Sequence, residues 1–557
     1  MFKVIFFVLV FENIPLFELS DTIYSFGELS SRFSAFDNPF HYSTKSVTNT
    51  RFPFISNLLL LQGQNFASPS IGGTSPEENL VMLNGIPLVN PMIGYQDLCA
   101  LPLSTVEEVE ILHSTSPFTV LPGIGGAVNF ISGRKLFAFR WSTYKQSINI
   151  GFTPFQNLSV SAFAENFTDS FPVKVEDTKL WITNTKDRKV GTILQTKDKK
   201  SAIFLLKREA GAPSPLGTTE TGSKTEFLQG SSFKTNWNKV TISVQNFYTS
   251  QSYRSSATSD VHRTLFLRNS YTFLNFETGV MLTAAKSTKL GRKACPVIYV
   301  NAVPIHYKSE RLVTTTFLST EYSFTSRSIY PSLLHAVAYR LGGHTIMYLN
   351  ASRNFRNPTF NELYWPEDIF AKGNPDLKPE LSNNIDAGIR TVQKKLFVST
   401  NFFIKRIRNG IVWIQGDKYY PLNFSKVVHV GANFEFAGEP SRNLYWECTI
   451  NFQNSTIDGS QYVYRPPLSV NLFARSGPLH FEVFYLSPRP ERPNSTKMLQ
   501  STLILNGYVE KEFQLRHIQA NLRLGFENFL NTNYEIIRGY PQPGREYFVQ
   551  VEISRRE

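Results

Sequence analysis

From about residue 135 to its end, the chain repeats segments in which apolar and polar residues alternate one by one. Examples are residues 158–164, 240–244, 444–452 and 518–526, each with an apolar side chain at every second position. Successive side chains of a β-strand point to opposite faces, so this alternation predicts strands with one apolar face and one polar face.

Soluble architectures can also use strands of this type. In water, an amphipathic sheet can form half of a sandwich with its apolar face inward, and a β-propeller is the competing all-β arrangement. The chain has no blade-length repeat, and the alternation continues over about 420 residues without core helices. This favours a closed transmembrane barrel, which pairs all backbone groups and turns its apolar face toward lipid.

The first 134 residues follow a different pattern. Three short apolar runs, at residues 80–83, 109–112 and 127–131, are bounded by Gly, Pro or Asn. Such boundaries are typical of short strands joined by tight turns, and Asn84-Gly85 is the sharpest turn signal. We therefore predict that these three runs are strands of a turn-rich region that precedes the alternating segments.

The extreme N-terminus has the pattern of a secretory signal peptide. It begins Met1-Phe2-Lys3 and continues with an apolar stretch from Val4 to Phe11. One basic residue followed by an apolar core too short to span a bilayer is typical of such a peptide. We expect residues 1–20 to be this signal.

Three motifs in the N-terminal part resemble the plug domain of TonB-dependent outer-membrane receptors. They read NLVMLNGIPL at 79–88, DLCALPLSTVEEVEIL at 97–112 and GIGGAVNFI at 123–131, in the family's order and spacing. Two later stretches resemble signatures of the family's barrel. These are SRNFRNPTFNELY at 352–364 with GNPDLKPE at 373–380, and ENFLNTNYE at 527–535 with GYPQPGR at 539–545.

The resemblance implies the fold and the order of domains. The expected fold is an all-β transmembrane barrel of 22 antiparallel strands with an N-terminal α+β plug domain inside its lumen. Residues 21–134 would form the plug and residues 135–557 the barrel. Residues 54–63 are similar to the early helix of the plug, so a helix is expected there.

The resemblance also implies where functional residues lie. TonB, the periplasmic energy transducer, would bind by strand addition to a TonB box just after the signal peptide. That segment corresponds to Asp21, Thr22, Ile23, Tyr24 and Ser25. The plug-motif positions are Asn84, Gly85, Asp97, Glu110, Gly123, Gly125, Gly126 and Asn129. Gly72-Gly73 stand where many members of the family have Arg-Gly, so that arginine is missing here.

Composition and charge narrow the expected partners. The chain is 14% aromatic, which suits broad pleated surfaces and the aromatic girdles of membrane interfaces. Its net charge is +13, but Lys and Arg are scattered along the sequence instead of gathered in one patch. This argues against a nucleic-acid partner and favours outer-membrane lipid and lipopolysaccharide, or an anionic ligand.

Neither the cysteine spacing nor the motif content of the sequence indicates a disulfide framework or a catalytic site. Cys99, Cys295 and Cys448 lie far apart, so no disulfide framework is expected, although a single bridge is left open. The sequence has no H-E-x-x-H, no G-x-S-x-G and no zinc-type Cys/His spacing. We therefore predict no enzyme activity, no cofactor and no metal ligands.

By resemblance, the expected function is TonB-dependent active transport of a scarce chelate or cofactor across the bacterial outer membrane. The cargo would be a ferric siderophore or cobalamin, and the partners would be TonB, outer-membrane lipid and the extracellular small-molecule chelate. A passive porin or a surface adhesin is the alternative, since it would keep the barrel but need no plug motifs. A soluble β enzyme is a third alternative, against which the missing catalytic motifs argue.

Overall fold

The computed structural model describes most of the chain from Tyr42 onward. The described residues are 42–46, 54–55, 58–62, 66–113, 123–133, 135–155, 157–175, 178–196, 201–213, 215, 221–237, 239–255, 259–273, 276–342, 344–368, 371–491 and 497–555. The expected signal peptide, residues 1–20, and the expected TonB box, Asp21 to Ser25, lie outside them.

The N-terminal part, which we call the plug, forms two small sheets. Its strands are β1 (Tyr42–Ser46), β2 (Phe54–Ile55), β3 (Leu58–Gln62), β4 (Ala67–Ile71), β5 (Asn79–Leu83), β6 (Ile86–Pro87), β7 (Val106–Leu112) and β8 (Gly126–Ser132). One sheet has the order β1-β7-β8-β5-β6, with β5 and β8 parallel, and the other has the order β2-β3-β4. Short 3-10 helices span Pro76–Glu78, Leu98–Ala100 and Leu103–Thr105. The three predicted strands are confirmed as β5, β7 and β8.

The prediction of an early helix at residues 54–63 is wrong. Strands β2 and β3 occupy this stretch, and β3 pairs antiparallel with β4. Residues 58–61 are consecutive leucines, so the run has no polar face of the kind that a surface helix presents. A continuous apolar run suits a buried strand equally well, and here pairing with β4 decides between the two.

The remainder of the chain is almost entirely strand. In chain order the strands are β9 (Phe137–Ser142), β10 (Lys145–Phe155), β11 (Leu158–Phe167), β12 (Ser170–Val175), β13 (Thr178–Thr183), β14 (Asp187–Thr196), β15 (Ala202–Ala212), β16 (Gly222–Trp237), β17 (Val240–Ser255), β18 (Ser259–Phe273), β19 (Phe276–Ser287), β20 (Gly291–Lys308), β21 (Leu312–Ser323), β22 (Ser328–Gly342), β23 (Thr345–Arg356), β24 (Glu380–Gln393), β25 (Leu396–Arg408), β26 (Gly410–Gln415), β27 (Tyr419–Phe424), β28 (Val427–Ser441), β29 (Leu444–Ile457), β30 (Ser460–Gln461), β31 (Leu468–Ser476), β32 (Leu479–Leu486), β33 (Arg489–Pro490), β34 (Met498–Leu499), β35 (Thr502–Leu515), β36 (Ile518–Glu527) and β37 (Glu546–Arg555).

These strands confirm the predicted barrel. Twenty-two of them pair antiparallel in chain order, and β37 pairs with β9 to close the ring. The hairpins β12–β13, β26–β27 and β33–β34 and the short β30 lie in connections between barrel strands. Helix α1 (Phe360–Tyr364) lies in another connection. Within the described ranges, no helix is long and apolar enough to cross a membrane.

The two ends of the barrel differ in the length of their connections. At one end the strands are joined by tight turns such as residues 394–395 and 516–517. At the other end the connections are longer and include residues 357–379, 409–426 and 528–545. Outer-membrane barrels have short turns on the periplasmic side and long loops outside, so the long connections mark the outer end.

The alternation along each strand separates an outer face from a lumen face, as predicted. In β25, Phe402 and Ile404 are exposed on the outside, whereas Asn401, Phe403 and Lys405 are buried in the lumen. The buried lumen positions pack against the plug. The apolar outer surface is therefore the part of the barrel that meets lipid.

The division of the chain between plug and barrel lies in a short segment. Strand β8, the last strand of the plug, ends at Ser132, and β9, the first barrel strand, begins at Phe137. The backbone N–H of Gly133 still bonds to a plug residue, Thr105, whereas that of Leu136 bonds to Ile553 of the barrel. We propose that the domain boundary lies between these two residues, next to the expected position at residue 134.

A charge on the outer face should destabilise the barrel. Leu524 is 52% exposed, and its cross-strand neighbours are Val509 and Val549. The variant L524R is expected to cost roughly 2 to 4 kcal/mol near the bilayer midplane, because lipid does not solvate the guanidinium group. The measurement is the free energy of unfolding in lipid vesicles.

The matched control, N521R, lies on the lumen face of the same strand. Asn521 is opposite Glu512 and Glu552, so a new guanidinium group there has carboxylates beside it. The stability change is expected to be small. An equal loss of stability in L524R and N521R would show that the two faces are assigned wrongly.

Candidate functional site

Several plug-motif residues meet around the tight turn between β5 and β6. Asn84 and Gly85 both have positive φ angles, 50° and 73°, as a two-residue hairpin turn requires. The Asn84 side chain donates to Ser132 Oγ at 2.7 Å, and the Gly85 N–H donates to Asn129 Oδ1 at 3.0 Å. Asn129 Nδ2 in turn donates to Glu110 Oε2 at 2.8 Å. These motif residues brace the plug sheet.

The motif glycines allow close backbone approach. A Cβ atom on Gly125 would come within 2.4 Å of the side chains of Asn79 and Thr74. Gly126 has a φ of 147°, and a Cβ there would lie 2.3 Å from the carbonyl oxygen of Leu112. Gly123 is buried at the start of the same stretch. The glycines therefore serve packing inside the plug.

Two cations of the barrel contact the plug where the family's arginine is missing. Lys405 of β25 donates from its ammonium group to the carbonyl oxygens of Ile71 and Gly125. Arg465, between β30 and β31, donates from Nε to the carbonyl oxygen of Gly73 at 2.7 Å. Positive charge at this place thus comes from one strand and one connection of the barrel. Gly72 leaves room for the Lys405 ammonium group, which a Cβ at this position would approach to 3.2 Å.

Asp97 is the motif residue with the strongest link to the barrel. Its Oδ1 accepts from the N–H groups of Ala67 and Cys99, at 2.9 and 3.0 Å. Its Oδ2 accepts from Arg208 at 2.8 Å and from Lys224 at 2.9 Å. Burial alone would raise the pKa of Asp97, but Lys224 and Arg208 lower it well below its usual range. Asp97 therefore remains ionised and holds the plug to the barrel wall.

Arg208 joins this contact to two more carboxylates of the barrel. It is fully buried and donates to Asp187 at 2.8 and 2.9 Å and to Glu226 at 2.9 Å. One guanidinium group thus neutralises three carboxylates, with Lys224 as the second cation. We call these five side chains, Asp97 included, the latch.

The first barrel signature forms a second buried cluster at the outer end. Arg356, the last residue of β23, donates two hydrogen bonds to Glu362 at 3.0 and 3.1 Å and one to Glu380 at 2.5 Å. Thr359 caps helix α1, accepting from the Glu362 N–H at 3.3 Å. Gly373 lies against the backbone of α1, where a Cβ would clash with Trp365 N at 2.5 Å. The signature therefore fixes a loop above the lumen.

Carboxyl groups of the plug extend this cluster. Burial raises the pKa of Glu78 to about 8, with Glu380 adding to the shift and Arg356 opposing it. Burial likewise raises the pKa of Glu77 to about 7, with Glu362 adding to the shift. Four carboxyl groups, those of Glu77, Glu78, Glu362 and Glu380, therefore surround the single basic group of Arg356. Near neutral pH, Glu77 and Glu78 are partly protonated.

A cavity of about 340 Å³, which we call the outer pocket, opens where the plug, the α1 loop and the β26–β27 hairpin meet. It is lined by Glu77, Ile93, Tyr95, Thr359, Asn361, Glu362, Trp365, Ala371, Trp413 and Tyr419. A second cavity of about 290 Å³ shares Glu77 and Thr359 with it and continues toward Met281 and Val297. A ligand that enters from outside would meet both.

Sequence reasoning identified the plug motifs but missed the barrel residues that face them. Arg208, Lys405 and Arg465 were not predicted, and neither was the outer pocket. A charged residue at a lumen-facing position of an alternating strand was the available signal, as with Arg208 in β15. Within the described ranges, no group of three or more His, Cys, Asp or Glu side chains is placed to hold a metal ion.

Two family models match the chain. A model described as TonB dependent receptor-like, beta-barrel matches residues 125–529, and a model described as TonB-dependent Receptor Plug Domain matches residues 59–128. The two matches follow one another as plug and barrel do in the structure.

Solved structures of similar fold include two receptors. The ferric enterobactin receptor PfeA of Pseudomonas aeruginosa has a TM-score of 0.70 and 12% identity, covering 92% of this chain and 98% of that one. The siderophore receptor PirA of Acinetobacter baumannii has the same TM-score, identity and coverage. At this identity the likeness establishes the fold alone.

Relatives by sequence include two proteins named vitamin B12 transporter BtuB. That of Photobacterium profundum is 28% identical over 130 residues, which are 22% of this chain and 21% of the relative. That of Vibrio vulnificus is 33% identical over 84 residues, 14% of this chain and 13% of the relative. The matched stretches thus span about a fifth or less of these relatives.

The barrel model covers most of the chain, the plug model covers the region before it, and the structure shows a closed barrel with the plug packed inside. The chain belongs to the family of TonB-dependent receptors, which are plugged β-barrels of the bacterial outer membrane and not enzymes.

Proposed function

We propose that the protein takes up a scarce chelate or cofactor across the outer membrane by TonB-dependent active transport. The observation that carries this proposal is the filled lumen. The plug is tied to the wall through buried contacts, among them Asp97–Arg208 and Lys405–Gly125. A passive porin needs an open channel, and an adhesin needs no internal domain. Neither alternative therefore explains why a plug fills the lumen.

The energetics of capture explain why such a receptor needs an external source of work. A Kd of about 1 nM corresponds to about −12 kcal/mol. With an association rate constant near 10⁶ M⁻¹s⁻¹, spontaneous release takes on the order of 10³ s. Tight binding at the outer end therefore requires a partner that pulls on the plug. We propose TonB as this partner and Asp21 to Ser25 as the segment it binds.

The remaining partners follow from the position in the membrane and from charge. The outer face contacts lipid, and the net charge of +13 suits anionic lipopolysaccharide around the outer end. Candidate cargoes are ferric siderophores and cobalamin, since solved neighbours are named as siderophore receptors and sequence relatives as vitamin B12 transporters. A nucleic acid is not among the proposed partners.

Uptake by whole cells tests this function. The full chain is expressed in a bacterium that lacks its own receptors for the labelled cargoes, which are cobalamin and ferric siderophores that include one with a free ammonium group. Accumulation of at least one cargo is expected with the proton gradient intact and is expected to stop when the gradient is collapsed. Equal accumulation with the gradient intact and with the gradient collapsed would identify a passive pore instead.

A further inference from the structure

The wall of the outer pocket is unusually aromatic. Tyr95 comes from the plug, Trp365 follows helix α1, and Trp413 and Tyr419 come from the β26–β27 hairpin. The face of an aromatic ring carries partial negative charge and attracts a cation within about 6 Å of its centre. Four such rings around one cavity form a surface suited to a positively charged group.

Two hydrogen-bond acceptors of this pocket have no side-chain donor among the residues that the structure describes. Among the described residues, no side chain bonds to the carboxyl group of Glu77, which receives only its own backbone N–H. The Oδ1 atom of Asn361 is buried and also lacks a partner within the described part of the chain. Leaving a buried acceptor such as Asn361 Oδ1 unpaired costs free energy, and the partly buried Glu77 carboxyl group adds acceptors to the same pocket, so the two residues favour a ligand that brings N–H donors.

The basic side chains near the pocket, within the described ranges, already have partners. Arg356 is committed to Glu362 and Glu380 on one side of it. The ammonium group of Lys289 lies 5.5 Å from the ring centre of Trp365. The ammonium group of Lys372 lies 5.7 Å from the ring centre of Tyr420, which belongs to the β26–β27 hairpin.

One further acidic group lies beside the Trp365 ring. The indole N–H of Trp365 donates to Asp368 at 3.2 Å. Ammonium groups of the chain thus already lie near aromatic rings of this region, and Glu77 and Glu362 add carboxyl groups to the pocket. An anionic group would be repelled there.

We propose that the outer pocket binds a positively charged, N–H-donating group of the transported ligand, such as a primary ammonium group. The aromatic rings of Tyr95, Trp365, Trp413 and Tyr419 would surround this group, and Glu77 and Asn361 would accept its hydrogen bonds. The inference rests on the proposed uptake function and specifies the ligand class as a chelate or cofactor that carries a cationic group.

The test uses the full chain purified in detergent, with two probes of the same shape and different charge. Benzylamine, protonated in the assay, is compared with benzyl alcohol, and binding is followed by quenching of tryptophan fluorescence. The assay is run at about pH 8, where a carboxyl with a pKa of about 7 is mostly ionised. Benzylamine is expected to bind at least about fivefold more tightly than benzyl alcohol.

Three variants separate binding in the pocket from general effects of charge. In E77Q, the affinity for benzylamine is expected to fall toward that for benzyl alcohol, because the rings remain but the carboxylate is lost, while the affinity for benzyl alcohol is unchanged. The control is E367Q, which removes an exposed carboxylate that pairs with Lys418 outside the pocket, and it is expected to bind both probes as the unaltered protein does. In W413L, both probes are expected to bind more weakly.

Equal affinity for the two probes, or equal behaviour of E77Q and E367Q, would overturn the inference. Heat-modifiable migration on gels confirms that each variant is folded before titration. The assay contains neither TonB nor a proton gradient, so its outcome is separate from that of the uptake experiment. Gradient-dependent uptake together with no preference for benzylamine would reject the cationic ligand class and leave the transport function standing.

Discussion

Replacing Arg208 by methionine is expected to lower the free energy of unfolding by roughly 3 to 5 kcal/mol. The reason is that the fully buried guanidinium group neutralises Asp97, Asp187 and Glu226, which are themselves buried. Methionine has a similar volume but no donors, so the carboxylates would remain buried with Lys224 as their remaining latch cation. Denaturant unfolding in detergent measures the change.

The variant K207M provides the matched control on the same strand. Lys207 precedes Arg208 in β15, points away from the lumen and pairs at 2.8 Å with the exposed Glu209. Both side chains of this pair are largely exposed, so its loss is expected to change stability much less than the loss of the buried contacts of Arg208. R208M is also expected to expose the plug to protease, because Asp97 would lose its main barrel contact. Equal stability of R208M and K207M would show that the latch does not hold the plug.

Replacing Ile23 by proline is expected to reduce gradient-dependent uptake to the level seen with a collapsed gradient. Strand addition to TonB uses backbone hydrogen bonds, and proline has no N–H to donate. Binding of the cargo at the cell surface is expected to persist, because the outer pocket is far from this segment in the sequence and is built from other residues. The measurement pairs surface binding with accumulation of the same labelled cargo.

The conservative variant I23V keeps the backbone N–H and serves as the control, with uptake expected to match that of the unaltered protein. Sequencing of the mature N-terminus comes first, because cleavage after Ser25 would remove the proposed box. Unchanged accumulation in I23P would show that TonB does not bind at Asp21 to Ser25.

The sequence by itself determined the features that depend on neighbouring residues. Alternation of period two predicted that Phe452 and Asn451 lie on opposite faces, and Phe452 is exposed whereas Asn451 is buried, because the pleat of a strand sends successive side chains to opposite faces. The Asn84-Gly85 pair predicted its turn, since both residues tolerate positive φ. The family motifs gave the order of plug and barrel.

Only the tertiary structure decided what depends on distant partners. Residues 58–62 form a strand because β4 is available to pair with them, and the local sequence of leucines suits a helix or a strand. Asp97 meets Arg208 across 111 residues, and Lys405 meets Gly125 across 280. The outer pocket joins Glu77 to Trp365 and Trp413 from three separate segments. These contacts form only when the barrel closes around the plug. The pattern of residues along one strand does not indicate which plug residue that strand will face.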